Sequence, residues 1–189
     1  MTKKIWEMSA LHAHELLEKK EISASEALES SIERIEEVDG DLNALPERCF
    51  ARAREVANNI DKNSSSEFQP NLLGLPIAVK DYNDLSGVRT TYGSTIFKNN
   101  IPKDSDRTIK LLERNGANPV AKSNVPEWAG GHTFNPVNGL TRNPWDISKS
   151  AGGSSGGSAS ALASGQVFLA TGNDLGGSLR TPAGFNGVV

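Results

Sequence analysis

The chain has 189 residues, 37% hydrophobic and 23% charged, which excludes a disordered chain and gives enough length for one domain with a buried core. Its net charge of −3 offers no electrostatic footprint for nucleic acid, and no apolar run is long enough to span a membrane. One cysteine, Cys49, excludes an internal disulfide framework; with no apolar h-region behind "MTKK", the reading is a cytoplasmic protein.

Helices come first. Ser9 caps a helix reaching about Lys20, with Leu11, Leu16 and Leu17 on one side. Ser23 and Glu26 match a capping box, Leu28, Ile32, Ile35 and Val38 follow at helical spacing, and Gly40 is the natural stop. A third helix is predicted over 46–60, opening at Pro46, and the polar stretch 61–71 reads as a loop. The run "LPIAVK" predicts a buried strand over 75–80 that ends at Lys80. A helix capped near Asp104 or Ser105 stops at Gly116, and "PVAKSN" is a short strand that Pro119 restricts to a start or an edge. Residues 126–150 read as irregular loop. "SASALASG" opens a helix, "QVFLAT" is a buried strand, "DLGGS" is a tight loop and "TPAGFNG" starts another helix. Strands alternating with helices predict an α/β layered fold. The last residues, "TPAGFNGVV", form an apolar run with no polar tail, so the chain reads as cut.

"SAGGSSGGSASALASG" (150–165) raises two readings: a flexible linker, or a site where glycine admits a close backbone. A linker joins self-contained units, yet a strand and a second Gly-Gly-Ser loop follow within a few residues, which favours a site. Gly152, Ser154 and Gly156 match G-x-S-x-G, but no strand precedes them and His12, His14 and His132 all lie upstream, so a hydrolase elbow is disfavoured. No Gly-Lys-Ser/Thr follows, which disfavours a phosphate loop, and the histidines lack metal-site grouping. A serine acting without histidine needs another base. Lys80, at the end of a buried strand, is the candidate if burial lowers its pKa; from periodicity alone, a lysine snorkelling from a strand end is the simpler reading.

Three ordered stretches, "GLPIAVKD" (74–81), "GGSSGGSASALASG" (152–165) and "TGNDLGGSLRTPAGFNGVV" (171–189), resemble the amidase signature family, as does the spacing from Ser154 to Ser178. "KSNVPEWAGG" and "TRNPWD" resemble its connecting segments. The resemblance covers roughly residues 70–189. It implies α/β/α layers around a mixed sheet, incomplete in this chain, with a helical region over 1–70 and the signature core over 71–189 of one truncated domain. It implies amide hydrolysis by a Ser–cis-Ser–Lys triad: Ser178 as nucleophile, Ser154 as bridging serine after a cis peptide bond, Lys80 as base. Backbone N–H groups of Leu175, Gly176, Gly177 and Ser178 would form the oxyanion hole, and Ala129, Gly130 and Ser154 would face the substrate. No metal or cofactor is implied. Tyr82, Asn173 and Asn186 depart from the family's usual residues, and Asn118 and Pro119 stand where a more apolar strand is expected.

Three functions remain open: a general amidase acting on a small-molecule amide, the A subunit of a glutamyl-tRNA amidotransferase working beside partner subunits, and a non-catalytic remnant. Because family members are longer, the isolated chain is expected to be inactive and to associate with itself or with a C-terminal partner chain.

Overall fold

The periodic apolar residues of the first third form two packed helices. In this computed structural model, which describes residues 4–63 and 70–189, α1 spans Ala10–Glu18 and α2 spans Ala24–Leu42. Ser9 Oγ accepts the His12 N–H, and Ser23 and Glu26 close the expected capping box. α2 does not stop at Gly40. It ends at Leu42, where Asn43 takes a left-handed φ of 53°, and buried Asp39 turns the chain by accepting the N–H groups of Ala44 and Leu45. Pro46 does not open a helix either. A two-residue strand, β1 (Glu47–Arg48), comes next, and α3 is Phe50–Lys62. Of the stretch expected as a loop, residues 61 and 62 end α3, and 64–69 lie outside the described residues.

β2 (Pro76–Lys80) is buried along its whole length. α4 (Arg107–Arg114) lies on the connection to β3 (Asn118–Ser123). With β8 (Leu169–Ala170) they form a mixed sheet of order β1-β3-β2-β8, in which β1 runs antiparallel to β3 and the other pairs are parallel. β3 is therefore interior, contrary to the edge position open to Pro119. The proline fits because the register slips beside it. Ile77 pairs with Pro119 but Ala78 pairs with Ala121, so Val120 is an extra residue at the bulge. Asn118 is fully buried and donates to Ala53 O at 3.0 Å, tying β3 to α3.

Helices cover both faces of the sheet. Leu28, Ile32 and Ile35 of α2, Ala53 and Ala57 of α3, and Ala161 of α5 (Gly156–Ala163) pack with Ala78 and Ala121 on one face. Ile77 and Val79 pack with Ile109 of α4 on the other. These are the expected α/β/α layers.

Residues 126–150 hold more order than expected: β4 (Phe134–Asn135) pairs with β5 (Gly139–Leu140), and β6 (Arg142–Asn143) with β7 (Asp146–Ser150). Side chains organise the first hairpin, since Asn135 Oδ1 accepts the N–H groups of Val137 and Asn138. The Gly/Ser stretch is not a linker. α5 begins inside it at Gly156, and a Cβ on Gly157 would overlap the backbone of Asn124. α6 spans Arg180–Asn186. Among the described residues no helix is long and apolar enough to cross a membrane.

Candidate active site

Strand alternation turns Lys80 to the α5 side of the sheet, where it is fully buried. Its Nζ donates to Ser154 Oγ at 2.8 Å, to Ser155 Oγ at 2.7 Å and to Asn173 Oδ1. All three acceptors are neutral. Burial therefore pushes the Lys80 amine down to about 8, opposed by the more distant Asp174 carboxylate. Its backbone N–H donates to Thr171 Oγ1 at 2.8 Å, which fixes the strand end against the loop after β8.

A second buried lysine shows the contrast. Lys122 of β3 is in register with Val79, so it points to the α4 face. It donates to Asp81 Oδ1 at 2.9 Å, Asn83 O at 2.8 Å and Thr90 Oγ1 at 2.7 Å. Asp81, adjacent to Lys80 in sequence, thus neutralises Lys122 on the opposite face and is unavailable to Lys80.

The Gly153–Ser154 peptide is cis, and Ser154 is buried. A Cβ on Gly153 would overlap the backbone of Gly131 and His132, so the two segments touch main chain to main chain. Asn186 donates to Ala151 O at 2.8 Å and Pro182 O at 2.7 Å, clasping α6 to this loop.

Ser178 sits in the 174–180 loop, which is organised by Asp174. Its carboxylate accepts the N–H of Gly177 at 2.6 Å, of Leu179 at 3.2 Å and of Arg180 at 3.3 Å, and pairs with the Arg180 guanidinium at 3.0 Å. These donors hold it well below the usual carboxylate range. Ser178 O accepts from Ser155 N–H at 3.1 Å. Among the described residues Ser178 Oγ makes no hydrogen bond, so Lys80 and Ser154 are joined while the Ser154–Ser178 link is open. Of the four expected oxyanion donors, the Gly177 N–H is engaged by Asp174. Those of Leu175, Gly176 and Ser178 make no hydrogen bond among the described residues.

Ser178 opens into a cleft of about 460 Å³ shared with Trp128, Ala129, Gly131, His132 and Gly153. Ala129 lines it. Gly130 and Ser154 do not: Gly130 turns aside to donate to Glu127 O at 3.0 Å, and Ser154 lies behind Gly153. Ser155 and Asp174 escaped the sequence reading, and His132 was weighed there only as an upstream histidine without metal-site grouping. The run Ser-Ser and the Asp three positions before Gly177 were the available signals; His132 had none. His14 instead bonds Asn71 O at 2.7 Å, and among the described residues no cluster could hold a metal ion.

Residues 26–189, which include every one of the site groups above, match the sequence profile of the family described as Amidase. The chain belongs to the amidase family. This amidase-family chain is 39% identical over 187 residues to the A subunit of the glutamyl-tRNA(Gln) amidotransferase of Persephonella marina, covering 98% of this chain and 39% of that one. The corresponding Rubrobacter xylanophilus protein is 44% identical over 190 residues, with 97% and 38% covered. The structure of fatty acid amide hydrolase superposes with a TM-score of 0.92 at 26% identity, covering 98% of this chain and 34% of that one. A bacterial aryl acylamidase of the amidase signature family gives 0.88 at 34% identity, with 93% and 37% covered. The chain thus spans about two fifths of the length of the curated relatives it matches.

Proposed function

We propose that this chain carries the catalytic residues of an amide hydrolase that works through an acyl-enzyme. The observation that carries the reading is Lys80: a buried amine with no carboxylate hydrogen-bond partner among the described residues, hydrogen-bonded to Ser154 Oγ at 2.8 Å. Neutral Lys80 accepts the Ser154 hydroxyl proton as Ser154 accepts that of Ser178, once Ser178 Oγ turns onto Ser154. Ser178 Oγ bonds to the amide carbonyl carbon, and the carbonyl π pair moves onto oxygen. The free N–H groups of Leu175, Gly176 and Ser178 suit that oxyanion, each donor being worth about 2.7–4 kcal/mol. Collapse expels the amine or ammonia, protonated through Ser154 from Lys80. Water, giving its proton to the same relay, then releases the acid. The reading needs no metal or cofactor. The substrate is a small-molecule amide, the setting cytoplasmic, and the chain's associate a second copy or a C-terminal partner chain.

A second reading, favoured by the 39% and 44% identity to amidotransferase A subunits, has the chain release ammonia from glutamine beside partner subunits. The test is labelling with a serine-reactive fluorophosphonate, read by intact and peptide mass spectrometry. The expected result is one adduct at Ser178, lost in Ser178→Ala. A folded chain that takes no label refutes a self-sufficient site. Ammonia release that requires both glutamine and added partner chains selects the second reading.

A further inference from the structure

Tyr82, one of the departures from the family's usual residues, stands two positions beyond Lys80 and touches both sides of the site. Its ring centroid lies 5.0 Å from Lys80 Nζ, within reach of cation–π attraction. Its hydroxyl donates to Pro126 O and accepts the N–H of Ala129. The turn held in this way has φ values of 51° at Trp128 and 64° at Ala129, a region non-glycine residues rarely occupy. Both residues line the cleft that Ser178 opens into. Trp128 is further steadied by stacking on Tyr92, centroids 6.2 Å apart. Burial pushes the Tyr82 phenol up to about 12, so it keeps its proton and goes on donating to Pro126 at neutral pH.

We propose that Tyr82 is a positioning residue with two separable actions: its ring stabilises the ammonium form of Lys80, and its hydroxyl fixes the 126–129 turn as a wall of the nucleophile's cleft. The proposal rests on the reading of Lys80 as the base. The ring action opposes burial. It keeps Lys80 able to hold the proton taken from the serines, and so able to return it to the leaving group.

Tyr82→Phe keeps the ring and removes the hydroxyl; Tyr82→Leu removes both while leaving the position apolar. Lysine labelled with carbon-13 at Cε reports each amine by NMR, and Lys80 is assigned by its loss in Lys80→Met. Wild type and Tyr82→Phe are expected to titrate together near 8. Tyr82→Leu is expected to titrate lower by about half a pH unit or more. The Ala129 amide should exchange with solvent about tenfold faster or more in both variants. A Tyr82→Leu titration that overlays the wild type overturns the ring action, and unchanged Ala129 exchange in Tyr82→Phe overturns the hydroxyl action. Wild-type Lys80 titrating at the ordinary 10.5 defeats the underlying reading of the base instead. Should Tyr82→Leu fail to fold, Tyr82→Met supplies the ring-free case.

Discussion

Replacing Lys80 by methionine removes a buried amine whose proton affinity differs between the folded and unfolded chain. The folded value is about 8 and the ordinary value 10.5. Between them the unfolded chain binds the proton and the folded chain does not, so stability rises with pH through that window. The lysine therefore destabilises the fold most below pH 8, and this effect is relieved as pH approaches 10.5. From the two proton-binding curves, the penalty falls by about 2.5 kcal/mol between pH 7 and pH 10. Lys80→Met lacks that gain. Lys80→Met loses the bonds to Ser154, Ser155 and Asn173 at both pH values, and the part of them that follows the Lys80 proton is already contained in its folded value. Titration of Cys49 and the tyrosines is common to both proteins and cancels in the comparison. The assay is urea unfolding of both proteins at pH 7 and pH 10. The wild type should gain about 2.5 kcal/mol relative to Lys80→Met. A double difference near zero, or one of opposite sign, would refute the idea that burial without a carboxylate sets the state of Lys80.

Asp81→Ala leaves Lys122 buried without its carboxylate and should cost about 3–5 kcal/mol in urea unfolding. Adding Lys122→Met should recover most of that loss, because the uncompensated charge then goes too. Asp174→Asn keeps one acceptor oxygen but loses the charge that gathers Gly177, Leu179 and Arg180. Labelling of Ser178 should slow about tenfold or more, while the Lys80 NMR titration moves only slightly downward because the opposing carboxylate is gone.

Where the sequence misled, a tertiary contact had overruled a local rule. Gly40 is a sound helix stop in isolation, but its neighbour Asp39 is buried and accepts from Ala44 and Leu45, which carries the helix on to Leu42. Pro46 suits a helix start, yet the residues after it pair with β3 at Glu47↔Lys122 and Arg48↔Ala121. Pro119 was restricted to a strand start or an edge; it stands second in β3, close to a start, but in an interior strand, which the bulge beside it permits and one strand alone cannot reveal. The short hairpins of 134–150 carry no period long enough to detect. Lys80 was legible as a candidate at the end of an apolar run, but periodicity favoured a lysine snorkelling to solvent; the family resemblance singled it out, and the structure buries it. Ser155 and Asn173 were not legible, since only the fold brings them to its amine.

Among the described residues the Asp174 carboxylate hydrogen-bonds only to partners three to six positions away, whereas Lys80 meets Ser154 and Asn173 across 74 and 93 positions. Ring closures over about ten residues take on the order of 10–100 ns, while contacts of long sequence separation wait for the sheet. The contacts that shape the loop around Ser178 are thus local, whereas those that join Lys80 to Ser154 need the long-range core. On the proposed mechanism, a serine in such a loop would stay unreactive until the sheet had formed.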